Sequence, residues 1–428
     1  MSNKTLLLTY CFPPMGLPEA FLCSKLFGNV SESEIFVHTL DSWKPWMQRD
    51  ESLVSYTTTH FKEIRRIRIP KVLQKLPLVK HDVFQSNPGK SPTFLKRLLH
   101  IIIQIATPLV RVPDIFRVFN HFLLRDVLNR EFEFNNLVTW SQYHSVHLVG
   151  YQIKKRFGNS IKWIAYFSDP WVGNPYLKES KMFKYINERL QRRVFMSADI
   201  LIFPTIEMLE FALAAYSSQI KNKGVVISHS FDPSLYPTQR RKEMSGKFVF
   251  RYLGQFYGIR SPEIIYDSLL IALGKFPDLA KNIEIEIIGN NSERDTAYEK
   301  FLKLPGGLVR FLPQVNYSRS LELMASSDCL ISIDAPAATN VFLSAKLIDY
   351  LGARRPVIAF TNSGTTQNLV SEYGGWIPNA NSSTEGSEAF IEAIKWLDTN
   401  RELDFGNSEV RSRFTAKTVA QAFEKLIS

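Results

Sequence analysis

The chain has 428 residues, 45% of them hydrophobic and 22% charged, which excludes wholesale disorder and leaves material for two buried cores. Its formal net charge of +11 predicts an anionic partner, whether a membrane surface, a nucleotide-linked substrate or nucleic acid. Three scattered cysteines, Cys11, Cys23 and Cys329, exclude a disulfide framework or a cysteine metal cluster and fit a reducing cytosol.

Residues 5–11 read as a first strand, followed by a turn at Phe12–Pro18 and a helix with Leu22, Cys23, Leu26 and Phe27 on one side. The apolar run before Pro13 and Pro14 is too short for a signal-peptide core. In a doubly wound sheet ligands sit beyond the carboxyl ends of the strands, so the Phe12–Glu19 turn with its lone Gly16 is expected at the ligand face; an ordinary tight turn explains the glycine equally well. Ile35–Leu40 reads as a second strand.

Residues 44–135 parse poorly. They hold Trp46, a basic cluster at Lys62, Arg65, Arg66 and Arg68, further lysines at 71, 75 and 80, and a polar turn near Ser86–Pro92. From Phe94 to Arg125, Lys96 and Arg97 alternate with Leu95, Leu98, Ile101–Ile103, Phe116, Phe119 and Phe122. Basic and aliphatic-aromatic residues on short helices predict contact with an anionic membrane interface; a helical insertion with solvated lysines is the plainer alternative. The longest apolar tract, Leu98–Val112, is broken by His100, Gln104, Pro108 and Arg111 and falls short of the roughly 20 residues that span a bilayer.

Strands are then expected at 137–141, 161–167, 199–203 and 225–228, with helices at 146–156 and 179–196, a beat that predicts a parallel sheet. Ser168 and Asp169 end one of these strands. Asp169 either orients a substrate hydroxyl or caps the turn before Pro170, while His144 and His147 read as structural. Residues 229–246, rich in proline and charge, read as a linker. A second α/β run follows, with strands at 248–253, 283–288, 309–312, 329–333 and 357–360, helices at 264–273, 296–302 and 318–325, and a terminal helix at 415–427.

Within that run, Leu343, Leu347, Tyr350 and Leu351 recur at the spacing of a helix docked by one face, with Ser344, Lys346 and Asp349 off the stripe. Asn340 or Thr339, just after Pro336, is the expected cap, and Gly352 with Pro356 the expected end. The first-turn N–H groups of such a helix attract phosphate. Lys346 and Asp349, three residues apart, form either a surface pair or two functional groups. Ser363–Thr366 offers a second nest of N–H groups or an ordinary capped turn. No zinc spacing, Walker A motif or nucleophile elbow is present.

The segment Ser344-x-Lys-Leu-x-Asp-Tyr-Leu351, followed by Pro356-Val-Ile, resembles the donor-sugar helix of GT-B glycosyltransferases, particularly retaining family 4. In that family a Glu-x7-Glu pair touches the sugar and the ribose hydroxyls; here Asp349 stands at the second position and Val341 at the first. The resemblance implies that Asp349 takes the ribose, that Val341, Phe342, Leu343 and Lys346 border the diphosphate, and that Gly254-Gln255…Arg260 is the donor loop. Arg260 would grip the diphosphate, unless it is a surface arginine. Gln314 and Val315 fall at the nucleobase, Gly16 near the sugar and diphosphate, and the catalytic candidates Ser168 and Asp169 where many members place a histidine that touches an outer hydroxyl of the donor sugar. Asp232 is in register with the family's interdomain turn, and Pro113-Asp114 resembles a Pro-Asp element of some members.

The implied fold is α/β, GT-B, with two Rossmann-like doubly wound parallel-sheet domains facing a cleft. Residues 1–228 form the acceptor domain with its insertion at about 44–135, 229–246 the linker, 247–410 the nucleotide-sugar domain and 411–428 a helix crossing back. The implied activity is a retaining, metal-independent transfer of a sugar from a nucleotide-diphosphate sugar to a cell-surface glycan acceptor, lipid-linked, without a cofactor and without nucleic acid. Such an enzyme would be cytoplasmic and peripheral to the inner face of the membrane. The alternatives are a nucleotide-sugar epimerase or hydrolase of the same fold, or a non-catalytic binding protein.

Overall fold

The protein is described as a computed structural model covering residues 3–41, 48–70, 112–130, 133–174, 180–238, 246–256, 260–289, 296–334 and 340–428. It divides into two compact units, Met1–Ile227 with Phe423–Ser428, and Ser228–Ala422.

The first unit runs β1 (Lys4–Thr9), α1 (Pro18–Gly28), β2 (Glu34–Leu40), α2 (Val54–His60), β3 (Glu63–Ile67), a 3-10 turn at Ile115–Phe119, α3 (Asn120–Leu128), β4 (Asn136–Ser141), α4 (Ser145–Phe157), β5 (Lys162–Phe167), α5 (Lys181–Ser197), β6 (Ile200–Phe203), α6 (Ile206–Leu213), α7 (Ser218–Lys221) and β7 (Gly224–Val226). Its seven strands lie in the order β3-β2-β1-β4-β5-β6-β7, with β1 parallel to both β2 and β4. Central strands such as Lys4–Thr9 and Asn136–Ser141 are buried on both faces, which is why they read as near-continuous apolar runs. The order reverses between β1 and β4, and the turns after these strands are where an open α/β sheet takes its ligand. Trp140 stacks on Tyr166 at 3.8 Å, and Phe27 sets its edge against Trp140 and Phe423, so the last residues of the chain complete this core.

The basic cluster at Lys62–Arg68 contains an edge strand. Within it, β3 pairs with β2; Lys62 meets Glu34 at 2.8 Å and Arg65 meets Asp126 at 2.6 Å. Charged side chains on an edge strand discourage further strand addition, which accounts for this composition. Phe116 and Phe119, also expected at the interface, are each 1% exposed, and Phe116 stacks on Tyr10 and Tyr143. Trp46, Lys71, Lys75, Lys80, the Ser86–Pro92 turn, the stretch from Phe94 through Arg111, and Pro336 and Thr339 lie outside the described residues. Among the described residues no helix is long and apolar enough to cross a membrane.

The second unit runs β8 (Phe248–Leu253), α8 (Glu263–Lys275), α9 (Leu279–Asn282), β9 (Ile283–Ile288), α10 (Thr296–Phe301), β10 (Val309–Leu312), α11 (Tyr317–Ser326), β11 (Cys329–Ile333), α12 (Ala345–Ala353), β12 (Val357–Phe360), α13 (Thr365–Tyr373), α14 (Ser383–Asn400), α15 (Ser408–Ser412) and α16 (Ala416–Ile427), whose end from Phe423 belongs to the first unit. Its five parallel strands lie in the order β10-β9-β8-β11-β12, so the switch point falls between β8 and β11. The segment expected as a linker starts as packed structure: His229, Ser230, Phe231 and Asp232 are buried, Phe231 bridges to Thr415, and Asp232 caps the next turn through Ser234. Residues 239–245 lie outside the described set.

Candidate functional site

The chemistry-bearing residues of the second unit gather at the carboxyl end of β8. Gly254 follows that strand at φ 152°, and a Cβ built on it would lie 1.8 Å from Lys346 Nζ; a Cβ on Gly289, after β9, would lie 1.9 Å from the Gly254 carbonyl. Two glycines therefore let the strand ends close and let an ammonium rest against backbone at the switch point. Lys346 is partly buried, on the first turn of α12, with its Nζ 5.9 Å from the Tyr252 ring centre. Burial, and secondarily the charge of Arg260, lowers its pKa to about 8. Two cations thus share one corner, and among the described residues no carboxylate lies within ion-pair distance of Lys346. Gln255 donates to the Gln314 side chain at 3.1 Å on the exposed rim, and Val315 is partly buried beside it.

Helix α12 begins later than its stripe predicts. Ser344 is its N-cap without a side-chain cap bond, so Val341, Phe342 and Leu343 precede the helix as a loop and the first-turn N–H groups lack a capping side chain. Asn340 is not the cap because a different network claims it. Its N–H donates to Ser363, its carbonyl accepts from Thr365, its Nδ2 donates to Asp334 at 2.6 Å, and its Oδ1 accepts from Phe342 N–H. Thr361 adds a second donor to the same Asp334 oxygen at 2.8 Å. This network also engages one donor of the expected second nest: the Thr365 N–H donates to the Asn340 carbonyl, against which Gly364 sits at φ 129°.

The helix also ends later than expected, running through Gly352 to Ala353 with Arg354 in the left-handed region. Gly352 is there for space, since a Cβ would come 2.3 Å from the Tyr236 hydroxyl. That hydroxyl donates to the Asp349 carbonyl at 2.8 Å. Asp349 itself, expected off the packed face, is 5% exposed, because α11 packs there and Tyr317 Oη donates to Asp349 Oδ1 at 3.0 Å. Lys346 and Asp349 do not form the surface pair that their spacing allows; the lysine turns to Gly254 and the aspartate to Tyr317.

In the first unit, Gly16 lies beside an antiparallel bridge between Met15 and Arg49: its N–H donates to the Gln48 carbonyl at 2.7 Å, and Asp50 N–H donates to the Pro14 carbonyl at 2.8 Å. Ser168 is buried and spends its hydroxyl on the Ser141 carbonyl at 2.7 Å, a structural bond. Asp169 accepts from Gln142 Nε2 at 2.9 Å, and burial raises its pKa to about 6. Glu19, to which the sequence assigns no role, is raised to about 7, by burial first and by the charge of Asp169 second. The fold thus sets the Glu19 carboxyl, on the first turn of α1, near that of Asp169, which follows β5. His144 lies flat against Trp171 at 5.2 Å and His147 bonds Thr139 at 2.8 Å; burial keeps both neutral, in agreement with a structural reading. Asp114 is spent on Ser145 and the Phe116 N–H. Among the described residues no group of three or more His, Cys, Asp or Glu is arranged to hold a metal ion.

No family model matches the sequence, and no curated protein matches it. Solved structures do. HepE from Anabaena in complex with UDP and glucose is similar at a TM-score of 0.64 and 14% identity, over 99% of each chain. Sucrose-phosphate synthase from Thermosynechococcus elongatus is similar at 0.57 and 13% identity, over 99% of this chain and 98% of that one. The lipopolysaccharide outer core galactosyltransferase WaaB is similar at 0.56 and 12% identity, over 99% of each chain. At these identities the likeness establishes the fold, and the fold is GT-B.

Proposed function

We propose that the protein is a glycosyltransferase that uses a nucleotide-diphosphate sugar, with UDP as the first nucleotide to test, and that it belongs to the retaining family 4 type. One observation carries the reading: Lys346 and Arg260 share the carboxyl end of β8 beside the uncapped start of α12, an arrangement of two cations and a helix N-terminus fitted to a diphosphate. The similar HepE structures contain UDP or UDP-glucose, which supports a uridine donor.

In this reading Lys346, Arg260 and the α12 N–H groups take up the negative charge that grows on the diphosphate as the glycosidic bond breaks. Stabilising a leaving group by preorganised cations lowers the barrier without a metal ion, and Asp349 receives the ribose hydroxyls. Retention follows a front-face displacement in which a diphosphate oxygen takes the acceptor proton. The acceptor is a cell-surface glycan, lipid-linked, taken by the first unit near Asp169.

Contact with an anionic membrane is also part of this proposal, and α5 supports it. Its exposed side carries Lys181, Lys184, Arg189, Arg192 and Arg193 against Glu188, with Met182, Tyr185 and Met196 each more than half exposed. Co-flotation with phosphatidylglycerol vesicles that weakens in salt and on reversing Arg192 and Arg193 to Glu supports that contact; no flotation at low salt rejects it.

The test of the donor site is isothermal titration of Arg260→Ala and Asp349→Ala with UDP and UDP-glucose. Each variant should bind about tenfold or more weakly while keeping its thermal midpoint within a few degrees, since hydrogen bonds to charged groups contribute about 1.5–3 kcal/mol. Unchanged affinity in both rejects the assignment.

A further inference from the structure

We infer that Asp334 is a further donor-site residue: one oxygen of its carboxylate takes a hydroxyl of the donor sugar and restricts the donor to sugars that carry that hydroxyl. The inference rests on the donor reading above and adds a residue and a selectivity to it. Asp334 is the first residue past β11, and its N–H donates to the Phe360 carbonyl at 2.9 Å. β11 pairs with β8 so that Ile331 lies opposite Tyr252; two residues on, Ile333 comes level with Gly254, against which Lys346 rests, and Asp334 leaves the sheet one residue beyond. The aspartate therefore stands on the strand next to β8, at the switch point and at the height of the two cations.

Asp334 is 4% exposed and is held by one oxygen only. Its Oδ2 accepts from Asn340 Nδ2 at 2.6 Å and from Thr361 Oγ1 at 2.8 Å. Among the described residues its Oδ1 takes no hydrogen bond, and no cation comes within ion-pair distance. A carboxylate this deep is disfavoured unless its lone pairs are used, and of about four such sites two are taken, both on the same oxygen. Two donors on Oδ2 fix the plane of the group, so Oδ1 is aimed before any ligand arrives and little freedom is lost on binding. Asn340 ties the carboxylate to the loop that leads into α12: its Oδ1 accepts the Phe342 N–H at 3.0 Å, while Val341 between them has no polar side chain. An acceptor for a sugar hydroxyl at this end of the loop thus comes from β11. The ligand group that fits is a neutral hydroxyl, because it donates a proton without bringing negative charge to a buried anion. A sugar lacking it leaves that anion unpaired, which is how sites built on polar groups reject deoxy analogues.

The test uses the intact protein, the tightest binder among UDP, GDP and ADP, the glucose conjugate of that nucleotide, and forms of the conjugate lacking one sugar hydroxyl at a time. Titration calorimetry compares them on wild type and on Asp334→Asn, whose carbonyl keeps the bonds from Asn340 and Thr361 while a neutral amide nitrogen replaces the accepting oxygen. Wild type should bind one deoxy form about tenfold or more weakly than the full conjugate. In Asp334→Asn that difference should shrink to about threefold or less, with affinity for the bare nucleotide held within about twofold. Thr361→Val, which removes one of the two donors that aim the carboxylate, should shrink it partway. Equal loss for the nucleotide and every conjugate means a merely structural aspartate and overturns the inference, as does an Asp334→Asn variant that discriminates like wild type. If wild type binds the nucleotide yet discriminates against no deoxy form, the donor reading stands and the inference falls. If wild type binds no nucleoside diphosphate, the donor reading falls and takes the inference with it. Should Asp334→Asn not fold, Thr361→Val is read in its place.

Discussion

Replacing Lys346 with methionine should move stability and ligand affinity in opposite directions. The amine has been drawn from 10.5 down to about 8, so the folded protein holds its charge at neutral pH against an opposing free energy of about 3 kcal/mol. Because the folded-state value is the lower one, the unfolded chain binds more protons between those two pH values. The stability of the ligand-free protein therefore rises as pH climbs through this window and is lost as pH falls back through about 8. Lys346→Met removes the strained charge and should raise the unfolding free energy at pH 7 by up to that amount, and the thermal midpoint with it. A bound diphosphate relieves the same strain and returns the amine toward its ordinary value. Binding then takes up a proton above pH 8, and affinity for UDP should fall by up to about tenfold per pH unit there while staying flat between pH 7 and 8, above the phosphate's own ionisation near pH 6. Titration calorimetry from pH 7 to 10 in two buffers of different ionisation enthalpy reads the proton uptake directly. A flat affinity profile above pH 8, or a methionine variant that binds UDP like wild type, refutes the placement of Lys346 on the diphosphate.

Two further substitutions test the packing that forms the sites. Glu19 is raised from 4.5 to about 7, so the folded protein keeps a proton that the unfolded chain releases, and the corresponding stability, about 3 kcal/mol at most, is present below pH 4.5 and lost as pH rises through 7. Glu19→Gln should raise the thermal midpoint at pH 8 and flatten its dependence between pH 5 and 8; superimposable wild-type and variant profiles contradict the burial of this carboxyl beside Asp169. Gly352→Ala should destabilise the second unit by about 1–3 kcal/mol in urea unfolding, because the new methyl displaces the Tyr236 hydroxyl and this outweighs alanine's helix preference of about 1 kcal/mol. A stabilised variant would show that Tyr236 has room to move.

The sequence is most legible where a strand is buried on both faces and stops at a turn residue. Phe248–Leu253, Ile283–Ile288, Cys329–Ile333 and Val357–Phe360 are readable to the residue for that reason, while the edge strand Val309–Leu312, half-buried, is marked by its short apolar run and the proline that follows. The edge strand Glu63–Ile67 is not, since its Glu-Ile-Arg-Arg-Ile composition reads as a charged surface segment. Helix Ser383–Asn400 had a local signal that sequence reading passed over: Ser382 caps it by accepting from the Glu385 N–H, and Ala389, Phe390, Ala393, Ile394 and Leu397 form its buried stripe. The boundaries of α12 had none. Asn340 is withdrawn from capping by Asp334 and Thr365, and Gly352 answers to Tyr236, far away in the chain. The same limit hid the partners of the site residues. Nothing near Asp349 in sequence announces Tyr317, and nothing near Asp169 announces Glu19; only the parallel sheets bring them together.

The account stands on nucleoside diphosphate binding, and a thermal-shift panel of UDP, GDP, dTDP and CMP with their common sugar conjugates tests it most directly. A ligand at about 100 times its dissociation constant adds about 2.7 kcal/mol, which raises the midpoint of a unit of this size by several degrees. The account predicts one clear nucleoside diphosphate hit, its shift cut to about half or less in Arg260→Ala and Asp349→Ala. No shift with any of them at millimolar concentration would contradict it and leave a GT-B scaffold without a donor site.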